Sequence, residues 1–245
     1  MSKRPESPLV IAHRGASAYQ PENTLRAYSL AVEQAADMIE IDLHLSRDGA
    51  IVVSHDADLG HFGAEGAIGE RTLAELRELD AGRGWDEPAR IPTLGEVLDD
   101  FGEVVPFNLE IKWSEEGDYQ GLEAMVLEEV ERRGLLERTL FSSFRDSILA
   151  ELRRISPGAR LAALADPRTP GRLVERAAAV GAEAVNPHFV MIIADESLVP
   201  EAHDAGLAVY SYTVNEAERM REMIDRGVDG LFTNHPDVMR SIVAP

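Results

Sequence analysis

The sequence has no cysteine, only two lysines and no long apolar run. Without cysteine the chain forms no disulfide, thiolate zinc site or iron–sulfur cluster, and it has no thiol nucleophile. No segment approaches the roughly 20 consecutive apolar residues that a membrane span requires. No apolar stretch of signal-peptide length follows Met1–Pro8. These absences predict a soluble, cytoplasmic protein.

Basic residues are also scarce relative to acidic ones. The chain carries 44 Asp and Glu against 24 Lys and Arg, for a formal net charge of −20. Affinity for nucleic acid comes mainly from Lys and Arg contacts with phosphate, so we expect no nucleic-acid partner. We expect no stable membrane association either, because anionic lipid surfaces attract basic segments. The sequence indicates no particular oligomeric state.

Short apolar runs alternate with longer segments of helical periodicity along the 245 residues. Such alternation predicts parallel strands joined by right-handed helical crossovers. Eight strands in a chain of this length are typical of an α/β TIM (β/α)₈ barrel. A doubly wound open sheet is the alternative, although no Gly-x-Gly-x-x-Gly turn follows the first strand. The predicted strands are Leu9–Ala12, Met38–Leu45, Val105–Ile111, Thr139–Phe144, Arg160–Ala165, Ala184–Pro187, Ala208–Thr213 and Gly230–Thr233.

The pattern predicts a single domain over residues 1–245, with the barrel core at 8–240. Its regular spacing breaks between residues 57 and 90, which contain glycines, charges and one short amphipathic piece. We interpret this segment as a short insertion after the second strand, lying over one rim of the barrel. Glycines that follow predicted helices favour the left-handed conformation of a helix end. They are Gly102, Gly134, Gly181, Gly206 and Gly227.

Polar side chains occupy one face of the second and third predicted strands. Period-two alternation places Glu40 and Asp42 on one face, and Glu110 and Lys112 on the corresponding face of the next strand. In a barrel that face points into the lumen, where an unpaired carboxylate costs several kcal/mol. The oxygen ligands of a divalent cation, Mg²⁺ or Ca²⁺, would compensate three such carboxylates. The alternative is a solvated sheet face on which Lys112 neutralises one carboxylate.

Two histidines stand at predicted strand ends. His13 ends the first strand, and His55 follows a short strand at Ile51–Ser54 that a tight turn returns toward the end of the second strand. Active sites of TIM barrels lie at the C-terminal ends of the strands. Two imidazoles beside a metal can act as general base and general acid in phosphoryl transfer. Lys112, the one lysine outside the N-terminal tail, suits contact with an anionic oxygen, although its position could also be due to chance.

Nine short motifs follow one another in order from His13 to Pro236. They are His13-Arg14-Gly15, Pro21-Glu22-Asn23-Thr24, Glu40-x-Asp42, Asp48-Gly49, His55-Asp56, Ile91-Pro92-Thr93-Leu94, Asn108-x-Glu110-x-Lys112, Thr213-Val214-Asn215 and Asp229-Gly230-x-x-Thr233-Asn234-x-Pro236. In this combination the chain resembles the glycerophosphodiester phosphodiesterase family. The resemblance spans nearly the whole chain and is far more specific than any single motif.

The resemblance implies a TIM barrel that cleaves small-molecule glycerophosphodiesters to glycerol 3-phosphate and an alcohol, using Mg²⁺ or Ca²⁺. It implies that the substrate's own neighbouring hydroxyl attacks, and that water then opens a cyclic phosphate. For Asn23 we expect a structural role as cap of the first helix. The implied site residues are Glu40, Asp42 and Glu110 as metal ligands, His13 and His55 as the acid/base pair, and Arg14 and Lys112 as phosphate contacts.

Two departures from the family pattern concern the leaving alcohol. The family usually has tryptophan where this chain has Tyr212, and the arginine–threonine run after His55-Asp56 is replaced here. Tyr212, Phe62 and Trp85 are candidate walls of the alcohol pocket, and ordinary packing would explain each equally well. Two other functions remain open: a phospholipase D-like lipase on the same barrel, and a non-catalytic barrel that binds phosphorylated ligands.

Overall fold

The computed structural model describes residues 7–114, 117–169 and 171–243, and its central element is a ring of parallel strands. Eight strands pair in parallel with their neighbours, and the first pairs with both the second and the last, so the ring is closed. The predicted TIM barrel is therefore confirmed, and the open sheet is wrong. The strands of the described chain are β1 (Leu9–His13), β2 (Met38–Leu45), β3 (Ile51–Val53), β4 (Phe107–Ile111), β5 (Thr139–Ser143), β6 (Arg160–Ala165), β7 (Ala184–Pro187), β8 (Ala208–Ser211) and β9 (Gly230–Thr233).

β3 is the strand outside this ring, and it runs antiparallel to the end of β2. The helices of the described residues are α1 (Leu25–Glu33), α2 (Leu73–Leu76), α3 (Leu94–Phe101), α4 (Leu122–Arg132), α5 (Asp146–Ile155), α6 (Leu173–Ala179), α7 (Phe189–Ala194), α8 (Leu198–Asp204), α9 (Ala217–Asp225) and α10 (Pro236–Val243). The sequence analysis did not predict α7 or α10. α7 is a run of six apolar residues and therefore shows no 3.6-residue repeat. α10 does have apolar residues at helical spacing, Val238, Met239, Ile242 and Val243, and this signal could have indicated it. Within the described chain, no helix has the length and apolarity needed to cross a membrane.

Apolar side chains form two layers around the strands. Outward-facing residues such as Ile39, Ile41 and Leu43 of β2 pack with the helices in the main core. Inside the barrel, the N-terminal end of the lumen is closed by a separate cluster of Ile11, Met38, Leu140, Ala162, Ala184, Tyr210 and Phe232. Because side chains alternate along each strand, the next inward-facing position of β2 after Met38 is Glu40. The lumen therefore changes from apolar to polar toward the C-terminal ends of the strands.

Residues 57–90 form two short 3₁₀ turns and α2, and they bury a small core of their own. Leu59, Ile68 and Leu76 pack there with Val52 of β3. Phe62 packs against this cluster, whereas Trp85 is 43% exposed. The segment is thus attached to the barrel through β3, at the side of the lumen opening.

Helix ends follow the glycine prediction with one difference. Gly134, Gly181, Gly206 and Gly227 all have positive φ, as predicted. Gly102 instead has a right-handed φ of −57°. A Cβ at Gly102 would lie 2.5 Å from the Leu98 carbonyl oxygen and 2.6 Å from the Leu135 side chain, so close packing rather than backbone handedness favours glycine there.

Gly15, in the loop after β1, combines a positive φ with close packing. Its φ is +82°, and a Cβ would lie 2.7 Å from both the carbonyl carbon and the Cβ of Ala27 in α1. Gly49 has nearly the same φ, +83°, but nothing lies within 4 Å of its Cβ position. Alanine substitutions at Gly15 and Gly49 can therefore separate the cost of the left-handed backbone from the cost of the steric clash.

We expect Gly49→Ala to lower the free energy of unfolding by about 1 kcal/mol, the cost of left-handed backbone for a residue with a side chain. Gly15→Ala should lower it by about 2–4 kcal/mol, because overpacking adds to that cost. Urea unfolding followed by circular dichroism measures both variants. Equal losses would show that the loop after β1 relaxes away from α1 without cost.

Candidate active site

Three carboxylates meet where the barrel lumen opens at the C-terminal ends of the strands. Glu40 and Asp42 belong to β2, and the β2–β4 register sets Asp42 beside Glu110. One oxygen of each carboxylate lies within 4.8 Å of the others. Their relative exposures are only 3%, 1% and 7%. The structure therefore brings together the three predicted metal ligands.

The pKa values of these three carboxylates are shifted differently by their surroundings. Burial raises the pKa of Glu40 well above its ordinary value, and the charge of Asp42 raises it further. Burial also raises the pKa of Glu110, although the Lys112 ammonium opposes this effect. For Asp42 the effect of burial is outweighed by Lys112 and Arg14, which hold its pKa well below the ordinary range. The chain's own cations thus stabilise one carboxylate fully, and the other two favour additional positive charge.

Lys112 follows β4 and lies among these acids. Its Nζ is 2.9 Å from Oε1 of Glu110 and 3.2 Å from Oδ1 of Asp42. Burial lowers the pKa of Lys112, but the two carboxylates outweigh burial and raise it above its ordinary value. Lys112 therefore stays charged, as the predicted phosphate contact requires.

Arg14 approaches the cluster from the loop after β1 with a left-handed φ of 57°. Its backbone N–H donates to Oε2 of Glu40 at 2.9 Å. Its Nε lies 3.4 Å from Oδ2 of Asp42, and Nη1 donates to Oε1 of Glu22 at 3.0 Å. The strained backbone conformation thus allows Arg14 to contact two of the three acids, Glu40 and Asp42.

The donor set fits a hard divalent cation. Oδ1 of Asp42 is buried and accepts no hydrogen bond from the residues that the structure describes, although Nζ of Lys112 lies 3.2 Å from it. A buried oxygen without a donor is unusual, and ligation of a cation would satisfy it. Three carboxylates within reach of one point are the oxygen ligands that Mg²⁺ and Ca²⁺ prefer.

Asn23 has a role that the sequence did not reveal. The prediction that Asn23 caps α1 is wrong: Thr24 is the cap, and its side chain accepts the N–H of Ala27. Asn23 adopts a φ of 57°, and its Nδ2 donates to Oδ2 of Asp42 at 2.9 Å. The hydroxyl of Tyr28 in turn donates to Oδ1 of Asn23 at 2.9 Å. Asn23 therefore orients a carboxylate of the cluster.

The two predicted histidines flank the acids with different partners. Nδ1 of His13 is 2.8 Å from the amide oxygen of Asn234. That oxygen can only accept, so Nδ1 carries the proton and Nε2 is left with a lone pair. Burial lowers the pKa of His13 to about 3, and Arg14 lowers it further. His55 is 37% exposed, and its Nδ1 lies 2.7 Å from Oδ1 of Asp56.

His44 of β2 fixes the segment that carries His55. Its Nε2 lies 3.1 Å from the His55 carbonyl oxygen, and its Nδ1 lies 2.9 Å from the Tyr119 hydroxyl. The carbonyl can only accept, so Nε2 donates to it and the tyrosine O–H donates to Nδ1. Burial lowers the pKa of His44 to about 4. The alternation that revealed Glu40 and Asp42 puts His44 on the same face, and this signal could have marked it.

Two cavities meet at His55. The smaller, of about 80 Å³, is bordered by His13, Glu40, His55, Glu110, Phe144 and Tyr212, among others. The larger, of about 590 Å³, begins at His55 and Phe144 and extends to Trp113, Arg145, Asp166 and Arg168. A small chamber bordered by both histidines, Glu40 and Glu110 thus adjoins a wider outer pocket at His55 and Phe144.

The predicted aromatic walls are placed differently by the structure. Tyr212 borders the smaller cavity, but its hydroxyl donates to the Ala165 carbonyl at 2.9 Å, so the ring is what faces a ligand. Phe62 and Trp85 line neither cavity. Trp113, which the sequence analysis did not single out, lines the larger one.

A sequence model of the glycerophosphoryl diester phosphodiesterase family matches residues 13–238. The chain belongs to this family. It is 35% identical to a glycerophosphodiester phosphodiesterase of Caldanaerobacter subterraneus, over 96% of this chain and 97% of that one. It is 30% identical to one of Bacillus subtilis, over 97% of this chain and 87% of the relative. A phosphodiesterase structure from Oleispira antarctica, in complex with the product sn-glycerol-3-phosphate, superposes with a TM-score of 0.84, 30% identity and 98% coverage of both chains.

In chelator at pH 7, we expect Glu40→Gln to raise the free energy of unfolding by about 1 kcal/mol. A carboxyl whose pKa is raised in the folded state destabilises the fold at any pH where the unfolded chain ionises it. Asp42→Asn should lower the stability by about 2–4 kcal/mol, because it leaves Lys112 and Arg14 without their shared anion. Urea unfolding in EDTA measures both. If both substitutions changed the free energy of unfolding in the same direction, the assignment of an unfavourable charge to Glu40 and a favourable charge to Asp42 would be wrong.

Proposed function

We propose that this chain is a metal-dependent glycerophosphodiester phosphodiesterase that releases glycerol 3-phosphate and an alcohol. The observation that carries the proposal is one small cavity bordered by two histidines from different segments and by carboxylates of the acidic cluster. Membership of the family and the product bound by the Oleispira antarctica relative support the substrate class. A barrel that only binds phosphorylated ligands would not need a pair of proton-transfer groups.

In this proposal Glu40, Asp42 and Glu110 hold a divalent cation, either Mg²⁺ or Ca²⁺. The bound cation supplies positive charge that stabilises the charge developing on the phosphate oxygens. Lys112 and Arg14 border the same acids, which supports their proposed role as contacts of the substrate phosphate. Tyr212 contributes an apolar ring to the wall beside the reacting group.

His13 is the proposed base of the first step. Its Nε2 takes the proton of the glycerol hydroxyl next to the phosphate, and the hydroxyl oxygen forms a bond to phosphorus. The bond from phosphorus to the leaving alcohol breaks, and that alcohol's oxygen receives a proton from His55. Water then opens the cyclic phosphate with the roles exchanged: His55 takes the proton of water, and His13 returns one to the glycerol oxygen. The position of His55 between the two cavities supports its assignment to the leaving alcohol.

A lipase that acts on membrane lipids has weaker support. The apolar residues 190–193 would be candidates for a lipid-facing rim, but they lie in α7, where Ile192 is buried and Met191 and Ile193 pack against the main core. Val190, at 41%, and Trp85, at 43%, are exposed, and they lie on different segments, α7 and the 57–90 insertion. Scattered exposed apolar residues are ordinary on soluble proteins. The charge of −20 opposes docking to an anionic lipid surface.

Metal removal tests the cation. Exhaustive dialysis against EDTA should abolish the release of glycerol 3-phosphate from glycerophosphoglycerol, and added Mg²⁺ or Ca²⁺ should restore it, because buried acids require a cation to hold phosphate. The same addition should raise the melting temperature of the wild type and have a much smaller effect on Glu40→Gln. Full activity in chelator, with no metal found by elemental analysis, would refute the proposed site.

Substitution of the histidines tests the proton-transfer pair. His13→Ala and His55→Ala should each lower kcat by roughly 10²–10⁴, the usual contribution of a positioned acid or base. KM should change much less, since these groups act mostly in the transition state. His61→Ala is the matched control, because His61 is exposed and lines neither cavity. A variant at either proposed position that keeps normal turnover would assign that histidine a structural role.

A further inference from the structure

The larger cavity adjoins the reacting centre on the side of His55. If the proposed function holds, on which this inference rests, the alcohol that leaves with a proton from His55 occupies this cavity. Its volume of about 590 Å³ is within the range of small-molecule pockets and exceeds the needs of a short alcohol. The side chains that line it therefore decide which head group the enzyme accepts.

Trp113, one of the two aromatic rings Trp113 and Phe144 that line this cavity, already has a cation on its face. The guanidinium carbon of Arg145 lies 4.8 Å from the centroid of the Trp113 ring. A second contact fixes the guanidinium, because Asp118 accepts a hydrogen bond from Nη1 of Arg145. Asp118 is itself held by the Ser147 hydroxyl, which donates to Oδ2 at 2.8 Å. Arg145 is thus held in place over the indole rather than free in solvent.

This arrangement bears on quaternary ammonium head groups, which proteins recognise through open aromatic faces. Arg145 covers the Trp113 face, and Phe144 meets Trp113 edge-on, with ring planes 73° apart. Asp166 could otherwise attract an ammonium, but it pairs with Arg168 at 2.7 Å and also accepts the Thr169 hydroxyl. Asp56, the other carboxylate of the lining, accepts a hydrogen bond from Nδ1 of His55 at 2.7 Å. Choline would therefore meet a fixed cation on the Trp113 face, beside carboxylates that already have partners.

The polar groups of the same cavity suit a ligand that carries hydroxyl groups. The cavity is lined by two guanidinium groups, the hydroxyls of Ser114 and Thr169, and the carboxylate of Asp56. These are donors and acceptors of the kind that bind a polyhydroxy alcohol. We propose that the outer cavity selects polyol head groups such as glycerol, and that Arg145 on Trp113 is the element that disfavours choline.

The test compares glycerophosphoglycerol with glycerophosphocholine at 0.15 M salt, where screening limits the influence of the net charge of −20. We expect the wild type to have a higher kcat/KM for glycerophosphoglycerol. Arg145→Met should shift the ratio of the two kcat/KM values toward glycerophosphocholine by about 3- to 30-fold, the value of one cation on an aromatic face. Trp113→Leu in the Arg145→Met background should remove that gain.

Two further variants separate the ring from charge. Arg145→Met/Asp118→Asn removes the carboxylate that Arg145 had paired, and the ratio should still shift. Arg154→Gln deletes an arginine that is 70% exposed on α5, outside the cavity, and should leave the ratio unchanged. Circular dichroism confirms that each variant is folded.

The possible outcomes distinguish a failure of the head-group assignment from a failure of the proposed function. Hydrolysis of neither substrate by metal-loaded wild type would overturn the proposed function and this inference with it. Hydrolysis with a preference for glycerophosphocholine, or an unchanged ratio in folded Arg145→Met, would overturn the head-group assignment alone. A shift seen in Arg145→Met but lost in Arg145→Met/Asp118→Asn would assign the effect to Asp118 and overturn the role of the Trp113 face.

Discussion

The site depends on one electrostatic constraint, the burial of three carboxylates beside one another in the lumen. The parallel register of β2 and β4 leaves Asp42 and Glu110 adjacent, and alternation adds Glu40 on the same face. Lys112 and Arg14 compensate part of this charge, chiefly at Asp42. The remaining negative charge is what makes the cluster suited to a divalent cation and, with it, to an anionic substrate. A neutral lumen would fold at least as well but would hold neither.

Precise placement of these groups comes from residues around the cluster. Asn23 orients Asp42 and is itself held by Tyr28, so a helix on the outside of the barrel reaches the site through two hydrogen bonds. Asn234 sets the tautomer of His13, and His44 holds the backbone of His55. In the proposed mechanism, partners of this kind keep the reacting groups in the fixed geometry on which proton transfer depends.

In the proposed function the two cavities have different roles, one for the phosphodiester and one for the leaving alcohol. The inner chamber is bordered by His13, His55, Glu40 and Glu110, whereas the outer cavity is built mostly from loops after the strands. In TIM barrels these loops vary while the strands keep the fold, so specificity is expected in the loops. Arg145 on Trp113 lies in that outer layer, and its contact joins residues from the loops after β4 and β5.

The sequence by itself determined the barrel and the inner site. Strand–helix alternation indicates the fold, and period-two alternation places Glu40, Asp42 and Glu110 in the lumen, because both signals repeat locally along the chain. His13 and His55 are indicated by their positions at the ends of predicted strands, which are also a local feature of the sequence.

Only the tertiary structure decided which residues support that site and which line the outer cavity. Asn23 lies next to the helix cap in sequence and resembles one, and nothing local shows that its left-handed backbone turns the amide toward Asp42. His13 and Asn234 are 221 residues apart, and they meet because β1 and β9 close the ring. Trp113 carries no sequence signal, since its role depends on a guanidinium 32 positions away. Such contacts join segments through space, so no periodicity along the chain records them.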